Sequence, residues 1–262
     1  MSPSEPDAPP VGRLRINLTL PVFNEVAQLA GSLARVRAYL VQLPTWRWEI
    51  VLADNGSTDG TTELARRLAH ETPPEPIPVH AVHLPHPGRG RALKTVWLAS
   101  DADVLSYMDL DLSTDLAHLP ELIGAVAEGS ADLAVGSRLA PGARTTRDWK
   151  RELLSRAYNR LTRAVLGLRV RDAQCGFKAL SRPAARALLP RVHDPGFFFD
   201  TELLVRAQWD GWRVLELPVR WTDDPDSRVR LLPTILADLR GLVRLARERR
   251  VARGHPRAAK LS

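Results

Sequence analysis

Apolar and polar residues alternate from Leu14 to Leu20 and stop at Pro21, a period of two that predicts a first strand. From Val26 to Leu43 the period lengthens, with Val26, Leu29, Leu33, Val36 and Leu40 at helical spacing. The short apolar run from Trp48 to Ala53 predicts a second strand. Ser57-Thr58-Asp59 then offers an N-cap for a helix from Gly60 to Glu71. Val79 to Leu84 reads as strand three, Gly90 to Ser100 as a helix and Val104 to Met108 as strand four. Strand and helix alternate, which predicts an α/β fold with a mostly parallel, Rossmann-like sheet and helices on both faces. Ligands of such sheets lie beyond the carboxyl ends of the strands. The loops at Asn24, Asp54 and Asp109 all follow such ends.

The second half is less regular. Pro120 to Glu128 predicts a helix, Asp132 to Gly136 a strand and Trp212 to Val219 another. Arg151 to Leu166 is an amphipathic helix, with Leu153, Ala157, Leu161 and Ala164 on one face and Arg156, Arg160 and Arg163 on another. Leu231 to Ala246 repeats apolar residues at Leu232, Ile235, Leu236, Leu239, Leu242 and Val243, again a helix. Residues 1–13 are polar and proline-rich and predict a disordered leader; 247–262 are basic and predict a disordered tail. One domain is expected between them, from 14 to 246, and 262 residues at 44% hydrophobic suffice for its core. No apolar stretch of about 20 residues is present, so no transmembrane helix is expected. The single cysteine, Cys175, excludes an internal disulfide and fits a reducing compartment.

Charge changes the picture. The net charge is +7, yet Arg138 to Arg171 alone carries ten Lys/Arg against two acids, and Arg244 to Ser262 seven against one. Two basic regions thus sit on an otherwise acidic chain. They suggest an anionic partner such as phosphate groups, acidic lipid headgroups or nucleic acid, although a solvated helix face explains them as well. No aromatic platform interleaves with the basic residues, which argues against nucleic acid.

The candidate chemistry centres on Asp109-Leu110-Asp111, two carboxylates one residue apart where strand four gives way to loop. Such a pair can hold a divalent cation, and a cation can hold a diphosphate. Alone, the tripeptide equally marks a solvated strand end or a helix cap.

Further motifs narrow the reading. Pro21-Val22-Phe23-Asn24-Glu25, Asp54-Asn55-Gly56-Ser57-Thr58-Asp59 and Asp109/Asp111 occur in the order and spacing of the family 2 inverting glycosyltransferases. Gly88-Arg89-Gly90-Arg91-Ala92 is similar to that family's Gly-Lys-Gly loop. Gly136-Ser137-Arg138, Asp172-Ala173-Gln174-Cys175-Gly176-Phe177-Lys178 and Phe199-Asp200-Thr201-Glu202 resemble the dolichyl- and polyprenyl-phosphate hexose synthases, particularly the glucosyl branch.

The resemblance implies a GT-A fold and a metal-dependent, inverting transfer of a hexose from a nucleotide diphosphate sugar to polyprenyl phosphate. UDP-glucose is the first donor to expect and GDP-mannose the second. Pro21, Phe23, Glu25 and Asp54 match positions that hold the nucleotide, with Arg89 and Asp109 beside the donor phosphates and sugar. Asp111 is the foremost ligand for Mg²⁺ or Mn²⁺, with Asp109 close by. Ser113 stands where mannosyl relatives carry a metal-binding Gln. Arg138, Arg151 and Arg228 match positions that bind donor diphosphate or acceptor phosphate, although relatives often carry Lys at 228. Another departure is Asn55, where many relatives have Asp. Asp172, Asp200 and Glu202 are candidate bases if the acceptor is a hydroxyl; for Asp200 and Glu202 a positioning or structural role is favoured. The place of action implied is cytoplasmic, in peripheral contact with the inner membrane face. Transfer to a cell-wall hydroxyl, or a silent nucleotide-sugar or nucleic-acid binder, remains the alternative.

Overall fold

The computed structural model describes residues 13–146, 149–223 and 231–254. Its main sheet has seven strands in the order β3-β2-β1-β4-β7-β5-β8. These are β1 (Arg15–Val22), β2 (Arg47–Asn55), β3 (Val79–Leu84), β4 (Val104–Met108), β5 (Leu133–Ser137), β7 (Phe177–Ser181) and β8 (Val214–Pro218). All run parallel except β7, which is antiparallel to both β4 and β5. The helices are α1 (Leu29–Leu40), α2 (Thr61–Glu71), α3 (Arg89–Ala99), α4 (Leu119–Ala127), α5 (Trp149–Leu166), α6 (Arg182–Leu188), α7 (Phe199–Trp209) and α8 (Leu231–Gly254). Two short strands, β6 (Arg144–Thr146) and β9 (Arg220–Thr222), pair beside the sheet.

The central strands are buried on both faces because helices flank the sheet: every residue from Ile16 to Leu20 and all of β4 are buried, the polar Asn17, Thr19 and Ser106 included. After β1 the chain moves outward through β2 to β3 and then returns to the other side of β1 to form β4. The strand order therefore reverses between β1 and β4, and a crevice opens there beyond their carboxyl ends. Pro21-to-Glu25 and Asp109-to-Asp111 flank that crevice.

The predicted elements are present with shifted ends. Strand one continues through Pro21 to Val22, and the first helix starts at Leu29 rather than Val26. Gly60, in a left-handed conformation, takes the cap position of α2, while the Asp59 carboxylate accepts from Thr61 N at 3.0 Å. α8 continues to Gly254, eight residues into the segment expected to be disordered. Residues 1–12, and 255–262 of the expected tail, lie outside the described residues. The antiparallel β7 and the short β6, β9 and α6 were not foreseen.

Candidate active site

Asp109 follows the last residue of β4, and its N–H donates to Gly176 O at 3.0 Å, one residue before β7. Antiparallel pairing of these strands brings the Gly176 loop against the Asp109 side chain. A Cβ on Gly176 would lie 1.7 Å from Asp109 Oδ2, so only glycine fits. Leu112 then takes a left-handed φ of 54°, a strained conformation for a bulky residue. That twist turns Ser113 N back to donate to Asp111 Oδ1 at 2.9 Å. Strain of this kind, held between two carboxylates and a hydroxyl, is typical of a functional loop.

Behind the carboxylates lies a buried charge cluster. Arg89 donates to Asp109 Oδ1 at 3.2 Å and to Asp200 Oδ2 at 2.5 Å. Asp200 also takes Lys178 Nζ at 2.9 Å and the Tyr107 hydroxyl. Arg89 is packed between rings, 4.5 Å from the centre of Phe197 and 5.8 Å from Tyr107. Burial opposes ionisation of Asp200, but Lys178 and Arg89 overcome it and hold the carboxyl below its ordinary range. Asp109 behaves oppositely. Desolvation, helped by Asp111 and Asp200 and opposed by Arg89, raises its carboxyl to about 6. Its side chain is 41% exposed, so solvent tempers that rise.

Arg138 is gripped by Asp172, which accepts from Nε at 2.6 Å, from a terminal amine at 2.9 Å and from Arg138 N at 3.0 Å. The guanidinium also lies 5.5 Å from the Trp221 ring centre. Arg151 lies in the first turn of α5, and Arg228 lies outside the described residues.

The residues expected to hold the nucleotide divide. Phe23 is 43% exposed at the crevice, and Pro21 and Glu25 are half-buried. Asn24, with a left-handed φ of 58°, accepts from Thr58 N at 2.8 Å and so ties the first loop to the second. Asp54 is buried instead and accepts from Ser57 N, Thr62 Oγ1 and His83 Nδ1. Burial would raise its carboxyl, but the bonds from Ser57, Thr62 and His83 outweigh it and hold it low. Asp54 thus braces the loop. Asn55 spans Val22 O and Gly88 N, joining β1 to the glycine loop. His83 and Tyr107 gave no signal in the sequence; Gly176 and Lys178 stood within one longer motif, Asn55 was visible as a departure from the family pattern, and Asp200 as a candidate base or positioning residue.

The donor set suits a hard cation. Among the described residues no group of three or more His, Cys, Asp or Glu could hold a metal. Two carboxylates would therefore share the ion with substrate oxygens and water, the usual manner of Mg²⁺ with phosphates. The buried Ser113 Oγ has no hydrogen-bond partner, an open oxygen beside Asp111. Cys175 is buried, and desolvation raises its thiol to about 12, which makes it a packing residue.

Residues 18–189 match the family model Glycosyl transferase family 2. The chain is 41% identical over 233 residues to glycosyltransferase AglD of Haloferax volcanii, covering 88% of this chain and 37% of that protein. It is 33% identical over 219 residues to polyprenol monophosphomannose synthase of Mycolicibacterium smegmatis, covering 80% of this chain and 78% of that one. Dolichyl-phosphate beta-glucosyltransferases are also among its relatives. The chain thus spans little more than a third of the archaeal protein. Among solved structures, glucosyl-3-phosphoglycerate synthase from Mycobacterium tuberculosis, in complex with UDP, superposes with a TM-score of 0.63 at 22% identity, covering 90% of this chain and 80% of that one. The fold is accordingly of the GT-A type, and the resemblance to polyprenyl-phosphate hexose synthases holds.

Proposed function

Because the chain belongs to glycosyl transferase family 2, we propose that it moves a hexose from a nucleotide diphosphate sugar to polyprenyl phosphate, with inversion, at the cytoplasmic face of a membrane. The carrying observation is the convergence of Asp109, Asp111, Arg89 and the Gly176 loop at the strand-order reversal. UDP-glucose is the favoured donor, from Gln174-Cys175-Gly176-Phe177-Lys178 and from the UDP complex of the structural neighbour; GDP-mannose is second.

Asp109, Asp111 and Ser113 would hold Mg²⁺ or Mn²⁺, which supplies positive charge to the diphosphate as it departs. Phe23, Pro21 and Glu25 form the nucleotide edge. Asp54 acts through the loop it braces. Asp200 is a positioning residue: it fixes Arg89 and Lys178, and Arg89 in turn fixes Asp109. Arg138, held rigid by Asp172, presents positive charge at the crevice, and Arg151 and Arg228 are the further phosphate-binding candidates. A phosphate monoester has a second pKa of about 6 and is largely dianionic near neutrality. Its oxygen attacks the anomeric carbon with no strong general base, and the nucleotide diphosphate leaves from the opposite face.

The test is incubation with Mn²⁺ or Mg²⁺, polyprenyl phosphate and a panel of radiolabelled nucleotide sugars, followed by lipid extraction. Label in the lipid phase that is lost with EDTA is expected. Label only in water-soluble or hydroxyl-bearing products would replace the acceptor, and nucleotide binding without turnover would leave a sensor.

A further inference from the structure

α5 is turned inside out. Its polar Asn159 and Thr162 are buried, while Leu153, Ala157, Leu161 and Ala164 face outward. Asn159 earns its place by accepting from Ala173 N at 2.9 Å, which anchors the chain ahead of the Gly176 loop. The outward stripe runs at helical spacing from Trp149, 68% exposed, through Leu153, 58% exposed, to Leu161 and Val165. α8 lies alongside and adds Leu236, 57% exposed, with Leu239 and Val243 one and two turns further on. An apolar groove of about 350 Å³ separates the two stripes, between Leu161 and Val165 on one side and Leu239 and Val243 on the other. Such an array is far more than the scattered single apolar residues of an ordinary surface.

Its borders are basic. Arg156, Arg160 and Arg163 are exposed on α5, and Arg240, Arg247 and Arg250 on α8. Arg247 and Arg250 also line the groove. A second copy of this chain would bring these arginines against their equals, so like charge opposes self-association through this face. An anionic bilayer complements it, with leucines entering the acyl boundary and arginines meeting phosphates.

We propose that the α5–α8 face is a docking surface for an anionic lipid bilayer. It is joined to the active site by packing. Gly241 of α8 lies against Phe198, where a Cβ would come within 2.3 Å of the ring, and the neighbouring Phe197 covers Arg89. Docking there sets the Phe197–Arg89 edge of the site close to the surface in which a lipid phosphate resides. The inference deepens the proposed function and rests on it for the lipid nature of the acceptor, while the docking itself is measured without turnover.

The test is flotation of the full chain with phosphatidylcholine vesicles, with and without phosphatidylglycerol. Binding to the anionic vesicles is expected, weakened by salt, with little to phosphatidylcholine alone. The double variant Leu239→Glu/Val243→Glu should lose about tenfold or more in partition, and Arg247→Ala and Arg250→Ala about fivefold each. These side chains are at the surface, so the thermal midpoint should hold. Trp149 supplies a second readout: its emission should shift to the blue on vesicle addition, a shift absent from Trp149→Phe. Equal partition of wild type and the double Glu variant overturns the proposal, as does a change of oligomeric state in that variant without a change in partition. Transfer to detergent-solubilised polyprenyl phosphate separates the two readings. If transfer persists without vesicle binding, only the docking surface falls; if vesicle binding persists without any transfer, only the proposed function does.

Discussion

Asp200 and Glu202 stand two residues apart on α7, both wholly buried and both clasping arginines, yet their surroundings differ in kind. Glu202 belongs to a closed cluster. It accepts from Arg206 Nε at 2.9 Å, from both terminal amines of Arg244 at 2.9 and 2.6 Å, and from Asp194 N at 3.0 Å. Glu248 neutralises the outer amines of both arginines. Burial would raise the Glu202 carboxyl, but Arg244 and Arg206 dominate and bring it to about 2. The Asp200 cluster is open at one end. Arg89 passes from Asp200 to Asp109, whose carboxylate reaches the crevice and sits at about 6. A buried ion cluster with every end satisfied fastens helices together. One that ends in a half-exposed, reluctantly charged carboxylate is arranged to meet something else.

Truncating the closed cluster should give the largest effect. Glu202→Ala removes the buried carboxylate from Arg206 and Arg244, leaving them only the half-exposed Glu248, and should lower unfolding stability by about 3–5 kcal/mol, read from urea denaturation. Transfer per folded molecule should be unchanged, and a selective loss of turnover would erase the distinction between the clusters. The open end should respond in reverse. Asp111→Asn should reduce transfer by about 10²–10³-fold, the scale of losing one preorganised electrostatic group, with the urea midpoint retained. Gly176→Ala tests the same end by geometry alone. The added methyl must displace the Asp109 carboxylate, and a misplacement of about 1 Å can cost about 10²-fold in turnover. Normal kinetics in the alanine variant would show that the placement of Asp109 does not matter.

The two halves of the fold were unequally legible. β1 to β4 announced themselves because β1 alternates apolar and polar residues, β2 to β4 are short and mostly apolar, and the helices between them have helical period, so local pattern and tertiary position agree. β7 was hidden in Phe177-Lys178-Ala179-Leu180-Ser181, too short and too mixed to separate from a loop, and its antiparallel direction depends on partners remote in sequence. Lys178 is the instructive case. A lysine within a strand reads as surface, yet here it is buried with Nζ on Asp200 and on Cys175 O. The Asp109/Asp111 pair and Arg89 were visible as residue types at strand and helix ends. Their coupling through Asp200 was not, since no spacing rule joins positions 89, 109 and 200. The apolar stripe on α5 was legible as amphipathic; that it faces outward followed only once Asn159 and Thr162 were seen to be buried.

The smallest expected effect concerns the direction of pH dependence, in which Glu202 and a buried carboxyl on α8, Asp238, are displaced in opposite senses. Glu202 has a folded value of about 2 against an ordinary 4.5. Its contribution is present above 4.5 and is lost as pH falls toward 2. Asp238 is displaced the other way. Burial outweighs the bond from Gln174 Nε2 and raises it from 3.8 to about 6, and its Oδ1 is buried without a hydrogen-bond partner. Its contribution is therefore full below 3.8 and is lost as pH rises to 6. Asp238→Asn removes the ionisation while keeping an oxygen for Gln174. It should raise stability near pH 7 by on the order of 1 kcal/mol and make no difference below pH 3.8. Urea midpoints at several pH values between 3 and 8, compared for wild type, Asp238→Asn and Glu202→Gln, resolve the two limbs. If the Asn variant is destabilised at neutrality, Asp238 is held charged by a partner as Glu202 is, and α8 would be fastened by two closed clusters rather than one.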